Sequence, residues 1–255
     1  MSVGKNLEER IEDRENNTAT FTRQQMEDIA RERIGEIEKE FKAGFAFLED
    51  YPKSVTFFGS NQFTETNMYY QSARTLSGRI AKELGYAVIS GGGPGIMEAA
   101  NRGAFEAGGT SLGLTIELPH GQVVNKYTTK ILDHYYFFVR KVCLSFSAEA
   151  FIFFPGGYGT LDEFFEIITL VQTGKISGVP IICVGSDYWK ALERFMQNEL
   201  LSRGTILPDD LLLYTITDNH DEILDIIRKT PVHETLPFNP VINAEVIPEG
   251  ERKMG

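Results

Sequence analysis

The order of the predicted elements indicates an α/β protein with a doubly wound, mostly parallel sheet. Short apolar runs recur along the chain, and a segment with helical spacing of apolar residues follows most of them. Strands that alternate with helices form a parallel sheet that is covered by helices on both faces. The runs are almost continuously apolar, which is typical of strands buried on both sides. We therefore predict a sheet of this kind, preceded by one further helix.

The two ends of the chain differ in composition from its body. Residues 1–22 are polar, acidic and without periodicity, which predicts a mobile segment. Over 23–51 apolar residues recur at spacings of three and four, which predicts a helix that ends before Pro52. The body follows over 52–230. The stretch 231–255 is rich in proline and is predicted to be an extended tail.

Six strands and six helices are predicted within the body. The strands are expected at 54–60, 86–90, 110–118, 150–154, 179–185 and 211–217. The helices are expected at 67–85, 96–109, 137–147, 160–173, about 187–202 and 220–229. The region 119–136 shows no clear pattern and is predicted to be irregular.

This arrangement predicts a Rossmann-like topology with the strand order 3-2-1-4-5-6. Three strand–helix units precede the long connection and three follow it, so the winding reverses between the first and fourth strands. Ligands of such sheets bind at that point, beyond the carboxyl ends of the strands. Three loops rich in glycine or hydroxyl groups should meet there: GSN (59–61), SGGGPG (90–95) and PGGYGT (155–160).

Composition excludes several classes of partner. The net charge of −11 disfavours non-specific binding to nucleic acid or to an anionic membrane. No apolar run approaches the roughly 20 residues that span a bilayer, and the N-terminus has no signal-peptide core. The two cysteines lie in apolar contexts, and the four histidines lack metal-ligand spacing. We expect a cytoplasmic protein without a metal site.

The glycine loops predict a binding site for a phosphate group. A turn without side chains lets backbone N–H groups approach a ligand, and a helix that starts directly after it adds unpaired N–H groups and partial positive charge. The plainer interpretation is that the glycines only mark tight turns. Ile96 replaces the last glycine of a dinucleotide fingerprint, and no P-loop motif occurs. A mononucleotide or a sugar phosphate remains.

Glu163 has two interpretations. It forms a T-x-x-E capping box with Thr160, so its role could be limited to the start of a helix. Alternatively, its carboxylate stabilises a positive centre, such as the oxocarbenium-like transition state of glycosidic bond cleavage. Glu166 lies three residues further on the same helix face, and Glu98 follows the second glycine loop.

Three segments together resemble one known family. PGGYGTLDE (155–163) resembles the PGGxGTxxE signature of the LONELY GUY family, and VRK (139–141) resembles its Arg-Lys element. SGGGPGIMEAANRGA (90–104) resembles its glycine-rich loop, and the similarity extends over about 54–200. The resemblance implies a cytoplasmic, homodimeric, Rossmann-like phosphoribohydrolase, and we expect no cofactor. Such enzymes cleave the N-glycosidic bond of nucleoside 5′-monophosphates, including cytokinin ribotides or AMP, and release base and ribose 5-phosphate.

The resemblance also assigns site residues, and it makes 52–230 a nucleotide-binding catalytic domain. Arg140 and Glu163 are the predicted catalytic residues. The residues predicted to bind the substrate are Ser60, Gly91, Gly92, Gly93, Met97, Glu98, Lys141, Gly156, Gly157, Gly159 and Thr160. The alternative is a non-catalytic module that senses a nucleotide derivative, which would need the glycine loops but not the pair of Glu163 and Arg140.

Some members of this family carry the label lysine decarboxylase. Pyridoxal chemistry requires a lysine that forms a Schiff base. Lys141 is the one lysine predicted near the crevice, and a lysine beside a nucleotide site is more often an ion-pair partner.

Overall fold

The computed structural model describes residues 22–117, 123–146, 148–176 and 178–232. Nearly all of the predicted mobile segment, 1–22, therefore lies outside the described residues. The predicted extended tail lies outside them from residue 233 onwards.

The chain divides into two units, residues 1–42 and residues 43–255. The first predicted helix is present as α1, Arg23–Glu49, and its last residues belong to the second unit. Gly44 and Leu48 are buried there. A Cβ at Gly44 would overlap the thiol of Cys143, so this end of α1 packs tightly on the body.

Seven strands occur in the described residues. They are β1 Ser54–Phe58, β2 Ala87–Ser90, β3 Ser111–Ile116, β4 Lys130–His134, β5 Ala150–Phe153, β6 Ile181–Cys183 and β7 Thr215–Ile216. The helices after α1 are α2 Met68–Arg79, α3 Ile96–Glu106, α4 Phe137–Ser145, α5 Tyr158–Gln172, α6 Ser186–Phe195 and α7 His220–Lys229. π-helical segments extend α2 over Ile80–Leu84 and α6 over Met196–Leu201, and Pro208–Leu212 forms a 3₁₀ helix.

All neighbouring strands pair in parallel, in the order β4-β3-β2-β1-β5-β6-β7. This confirms the predicted doubly wound sheet and the predicted order of its six strands. The prediction of an irregular stretch at 119–136 is wrong for Lys130–His134, which pairs with β3 as an edge strand. An edge strand is only half covered, so β4 lacks the apolar run by which buried strands are recognised.

The last predicted strand, 211–217, is also shorter than predicted. Within this run, Thr215–Ile216 pairs with β6, whereas Leu211 and Leu212 belong to the 3₁₀ helix Pro208–Leu212. The Leu207 N–H donates to Asp210 Oδ2 at 2.7 Å, which closes the 3₁₀ turn. Leu212 is 79% exposed, so the apolar run LLL does not mark a buried strand as predicted.

The core lies between the sheet and the helices on its two faces. Alternate strand residues point to opposite faces, and Ile152 belongs to the cluster formed with α2, α3 and α7. Its neighbour Phe153 packs instead against Phe164 of α5, with ring centroids 5.4 Å apart. Phe164 in turn contacts Trp189 of α6 at 4.8 Å. These two clusters fix the helices that begin at the carboxyl ends of the strands.

Helices α2 and α3 approach each other at two glycines. A Cβ at Gly103 would overlap the carbonyl oxygen of Arg74 and the hydroxyl of Ser77. A Cβ at Gly78 would lie 3.0 Å from the carbonyl oxygen of Gly103. The obstacle at Gly103 includes backbone, which cannot rotate away as a side chain can. The two helices therefore pack at a distance that only glycine permits.

We expect Gly103→Ala to lower the free energy of unfolding by about 3 kcal/mol, because an overpacked site must push the helices apart. Gly159→Ala is the matched control: a Cβ there meets no atom within 4 Å, and alanine in a helix gains roughly 0.5–1 kcal/mol over glycine. Urea unfolding of the two variants measures both effects. Equal stabilities would contradict the proposed close packing.

Candidate active site

Backbone hydrogen bonds join the three predicted loops at the carboxyl ends of β1, β2 and β5. The Ser60 N–H donates to the carbonyl of Pro155 at 3.0 Å. The carbonyl of Ser60 accepts from the N–H of Ile96 at 2.9 Å. The loops thus meet where the winding of the sheet reverses, as predicted. The Ser60 hydroxyl accepts from the Gln62 N–H at 3.1 Å, which leaves its own proton available to a ligand.

Two glycines of the loop after β2 have backbone conformations that other residues rarely adopt. Gly92 has φ 71° and Gly95 has φ 72°. A Cβ at Gly95 would overlap the carbonyl of Ser60, and a Cβ at Gly92 would lie 2.6 Å from Thr115 Cγ2. A tight turn and close packing therefore account for glycine at these two positions, and substrate binding by Gly92 stays a prediction.

The buried side-chain amide of Asn125 supports this glycine loop through hydrogen bonds. Asn125 Nδ2 donates to the carbonyls of Gly92 at 3.0 Å and Gly93 at 3.1 Å, and it lies 2.9 Å from Asn101 Oδ1 as a third acceptor. Asn125 is 6% exposed. Asn125 is not among the predicted site residues, because it lies in the stretch predicted to be irregular.

A second set of buried polar side chains continues the support. Ser90 Oγ accepts from the Gly92 N–H at 3.0 Å and donates to Asn101 Oδ1 at 2.6 Å. Asn101 Nδ2 donates to Ser111 Oγ at 2.9 Å. Asn101 interrupts an otherwise apolar face of α3, which is a signal that the sequence analysis could have used. The network ties the loop to β3.

The helix after β5 begins without a side-chain cap. Gly157 is its N-cap residue and has no side chain that could cap the helix. Thr160 is therefore the third helical residue, and Glu163 lies beyond the first turn. The capping-box interpretation of Thr160 and Glu163 is therefore wrong. Thr160 is buried, and a Cβ at Gly156 would overlap its hydroxyl oxygen. The helix begins at Tyr158, two residues earlier than predicted.

The N-terminus of α5 is open above its glycines. A Cβ at Gly157 or Gly159 would meet no atom within 4 Å, and neither residue has a positive φ. Packing and backbone conformation thus give no reason for glycine at these two positions. The first N–H groups of a helix lack intrahelical partners and carry partial positive charge. This combination leaves accessible space for an anion.

Glu163 and Arg140 form the charged centre of the site. Burial raises the pKa of Glu163 to about 7, although Arg140 acts to lower it. Burial lowers the pKa of Arg140, and the charge of Glu163 acts to raise it. Arg140 Nε donates to the carbonyl of Leu114 at 2.8 Å, which fixes the guanidinium at the end of β3.

The guanidinium of Arg140 and the side chain of Met97 both lie against Gly91. A Cβ at Gly91 would overlap Arg140 Nη2 and would lie 2.6 Å from Met97 Sδ. The glycine thus makes room for Arg140. The structure brings together four of the predicted residues: Gly91, Met97, Arg140 and Glu163.

Two residues predicted to bind the substrate have protein partners. Glu98 accepts from the hydroxyl of Tyr70 at 2.8 Å. Lys141 Nζ lies 2.6 Å from Asp162 Oδ2 and 3.1 Å from Glu166 Oε2. Substrate contacts by Glu98 and Lys141 stay predictions.

A cleft of about 500 Å³ opens beside the signature loop. Its lining comprises Ser60, Phe63, Tyr69, Pro155, Gly156, Gly157, Asp187 and Tyr188. Tyr188 donates its hydroxyl to the carbonyl of Gly156 at 2.8 Å, and Asp187 accepts from the hydroxyl of Tyr69 at 2.5 Å. These two α6 residues are not among the predicted site residues, since no sequence motif marks them.

The described part of the chain has no helix long and apolar enough to cross a membrane. Its histidine, cysteine and carboxylate side chains form no group of three that could hold a metal ion.

Comparison with known proteins identifies relatives of this site. A family model described as possible lysine decarboxylase matches residues 97–227. A probable cytokinin riboside 5′-monophosphate phosphoribohydrolase of Oryza sativa subsp. japonica is 27% identical over 193 residues, covering 72% of this chain and 87% of the relative. The cytokinin riboside 5′-monophosphate phosphoribohydrolase of Rhodococcoides fascians is 27% identical over 161 residues, covering 62% and 80%.

Solved structures share the fold. The molybdenum cofactor binding protein of Rippkaea orientalis superposes with a TM-score of 0.51 at 21% identity, covering 69% of this chain and 93% of that protein. A structural genomics target superposes with a TM-score of 0.53 at 23% identity, covering 69% and 99%.

We expect Asn125→Ala to loosen the glycine loop, because it removes the buried donor of the Gly93 carbonyl. The Gly92 carbonyl keeps the backbone N–H of residue 125 as a donor at 2.8 Å. An unsatisfied buried polar group costs about 1–3 kcal/mol. Hydrogen exchange at the amides of 91–96 should accelerate, and the urea midpoint should fall. Asn198→Ala, at an exposed position of the α6 extension, should change neither. Unchanged exchange in Asn125→Ala would show that the loop does not depend on this amide.

Proposed function

The chain belongs to the family whose model is described as possible lysine decarboxylase, the LONELY GUY family, and on this premise we propose that it hydrolyses the N-glycosidic bond of a nucleoside 5′-monophosphate. The products are the free base and ribose 5-phosphate. The names of the relatives give the general class, phosphoribohydrolase. We propose AMP or a cytokinin riboside monophosphate as the substrate.

The observation that carries the proposal is the open N-terminus of α5, with Glu163 one turn further along the same helix. Gly157 and Gly159 have no packing role, so their missing side chains leave room for the 5′-phosphate. The Ser60 hydroxyl and the N–H groups up to Thr160 complete the phosphate site. In a helix, side chains lean towards the N-terminus, so the Glu163 carboxylate is directed towards a ribose held there.

Glu163 then stabilises the transition state and activates water. As the bond between C1′ and the base nitrogen breaks, its electron pair leaves with the base and C1′ becomes oxocarbenium-like. The carboxylate offsets that positive charge and accepts a proton from the water whose oxygen bonds to C1′. A pKa of about 7 suits a base that works near neutral pH.

Arg140 contacts the leaving base or the ribose phosphate in this proposal. Its guanidinium is fixed by the carbonyl of Leu114, so it is oriented before the substrate arrives. A charge held in place in a site shielded from water acts more strongly than one in solvent.

Decarboxylation of lysine receives no support from the site. A Schiff-base lysine must lose its proton to react. Burial opposes the charge of Lys141, but the hydrogen bond to Asp162 and the ion pair with Glu166 raise its pKa above the ordinary value. Lys141 is therefore held as an ammonium ion.

We also propose a two-fold homodimer in which the second copy covers helices α4 and α5. Phe137 is 55% and Tyr158 is 95% exposed. A groove of about 520 Å³ on α5 is lined by Tyr158, Leu161, Asp162, Phe165, Glu166, Thr169 and Leu170. Exposed apolar surface of this kind marks association sites, and two-fold dimers are the commonest closed assembly. The two cysteines are free and buried, which supports our proposal of a cytoplasmic location.

The enzymatic proposal is tested by incubating the pure protein with common nucleoside monophosphates and measuring the free base by HPLC. AMP should yield adenine, whereas adenosine should not react, because it cannot make the charge-assisted contacts of the phosphate. Glu163→Gln should lower kcat by about 10²–10⁴-fold and leave AMP affinity near normal. The wild-type kcat should rise as the pH increases through about 7, where Glu163 ionises.

Failure can take two forms. Turnover of adenosine at a comparable rate would refute the phosphate-anchored site. If no monophosphate yields base but nucleotides bind, the protein is the non-catalytic sensor, and Glu163→Gln should then bind as well as the wild type. A Gln variant that retains most of the activity would direct the search to Glu166 or Glu98.

The dimer is tested by light scattering at micromolar concentration, where the wild type should have twice the monomer mass. Phe165→Glu places a charge in the α5 groove and should give a monomer. Phe195→Glu changes an exposed residue of α6 and should remain dimeric. A monomeric wild type would contradict this assembly.

A further inference from the structure

Lys141 connects the two helices that carry the proposed catalytic residues. It follows Arg140 directly in α4, and its ammonium group reaches α5. Lys141 Nζ donates to Asp162 Oδ2 at 2.6 Å and lies 3.1 Å from Glu166 Oε2. These carboxylates flank Glu163, one residue before it and three residues after it. One cation thus holds both acidic neighbours of Glu163 against the helix of Arg140.

We propose that Lys141 is a positioning residue, a clamp that sets where Glu163 lies relative to Arg140, and not a contact to the substrate. The inference rests on the proposed function of Glu163 and Arg140. It replaces the role in substrate binding that the sequence predicts for Lys141.

The contacts of Lys141 leave it little capacity for a ligand. An ammonium group has three donors, and two carboxylates already surround it. The side chains of Lys141 and Glu166 are only 25% and 28% exposed. If Lys141 turned towards a phosphate, the buried oxygen of Glu166 would lose its paired cation, and separating a shielded ion pair is costly.

The clamp also balances charge around Glu163. Four charged groups act on its carboxyl group: Arg140 and Lys141 lower its pKa, and Asp162 and Glu166 raise it. Without Lys141, two carboxylates would act on Glu163 with Arg140 as the remaining cation. The pKa of Glu163 would then rise further above its value of about 7, and less of the ionised base would be present at neutral pH.

Steady-state kinetics with AMP distinguish a clamp from a substrate contact. Lys141→Met keeps most of the side-chain volume but removes the charge. For a clamp, kcat should fall by about 10- to 100-fold, since small misplacements of catalytic groups have effects of that size, and KM should stay near the wild-type value. A raised KM with unchanged kcat would overturn the proposal. Lys175→Met, at an exposed lysine just after α5, is the matched control and should behave as wild type.

A rescue experiment tests the charge balance. The low-pH limb of kcat should move to higher pH in Lys141→Met. Adding Asp162→Asn and Glu166→Gln removes the two carboxylates that Lys141 neutralises, so the limb should return towards its wild-type position. Lys141→Arg keeps the cation and should retain more activity than Lys141→Met. If the triple variant keeps the displaced limb of the single variant, the proposal is wrong.

A readout that needs no turnover separates this inference from the proposed function. ¹³C NMR of glutamate-labelled protein follows the titration of the Glu163 carboxyl group, with Glu163→Gln to assign its signal. The midpoint should be higher in Lys141→Met than in the wild type or Lys175→Met. A wild type that hydrolyses no nucleotide would refute the proposed function alone, and an unchanged midpoint would refute the clamp alone.

Discussion

The backbone of Ser60 is the point on which the whole site depends. Its N–H and its carbonyl bind the loops after β5 and β2, respectively, so one residue of the loop after β1 fixes the separation of the other two loops. These bonds form because β1 lies at the centre of the sheet, between β2 and β5. The winding of the sheet reverses beside β1. No helix therefore lies between the loops that follow β2 and β5. The position of the site is therefore set first by the strand order and only then by the side chains.

The protein places positive and negative charge at this site by different means. The chain is acidic overall, with a net charge of −11, so attraction of a phosphate depends on local groups. Helix N–H groups supply partial positive charge without a titratable side chain. The guanidinium of Arg140 is held by a carbonyl, and its space is provided by Gly91. Glu163, whose pKa burial raises to about 7, lies among charged groups that limit how far burial can shift it.

Much of the fold could be predicted from the sequence, because central strands and amphipathic helices have strong periodic signals. The convergence of the three loops followed from strand order alone. The predictions from sequence were wrong at an edge strand and at helix ends. Strand β4 carries Lys130 and Asp133, so it lacks an apolar run, and α5 begins at Tyr158 on a glycine N-cap, where a Thr-based cap had been the simpler pattern. Asn125 could not be predicted because a buried amide is recognised by its hydrogen-bond partners, which are distant in the chain.

Strand β4 also affects how molecules of this protein can associate. The outer edge of a parallel sheet offers unpaired N–H and C=O groups to any neighbouring chain, and charged residues along such an edge oppose that pairing. Lys130 and Asp133 provide such charges at one end of the sheet, and the strand at the other end, β7, has only two residues. Continuous growth of the sheet from one molecule to the next is thus disfavoured at both ends. Concentrated protein should accordingly resist fibril formation.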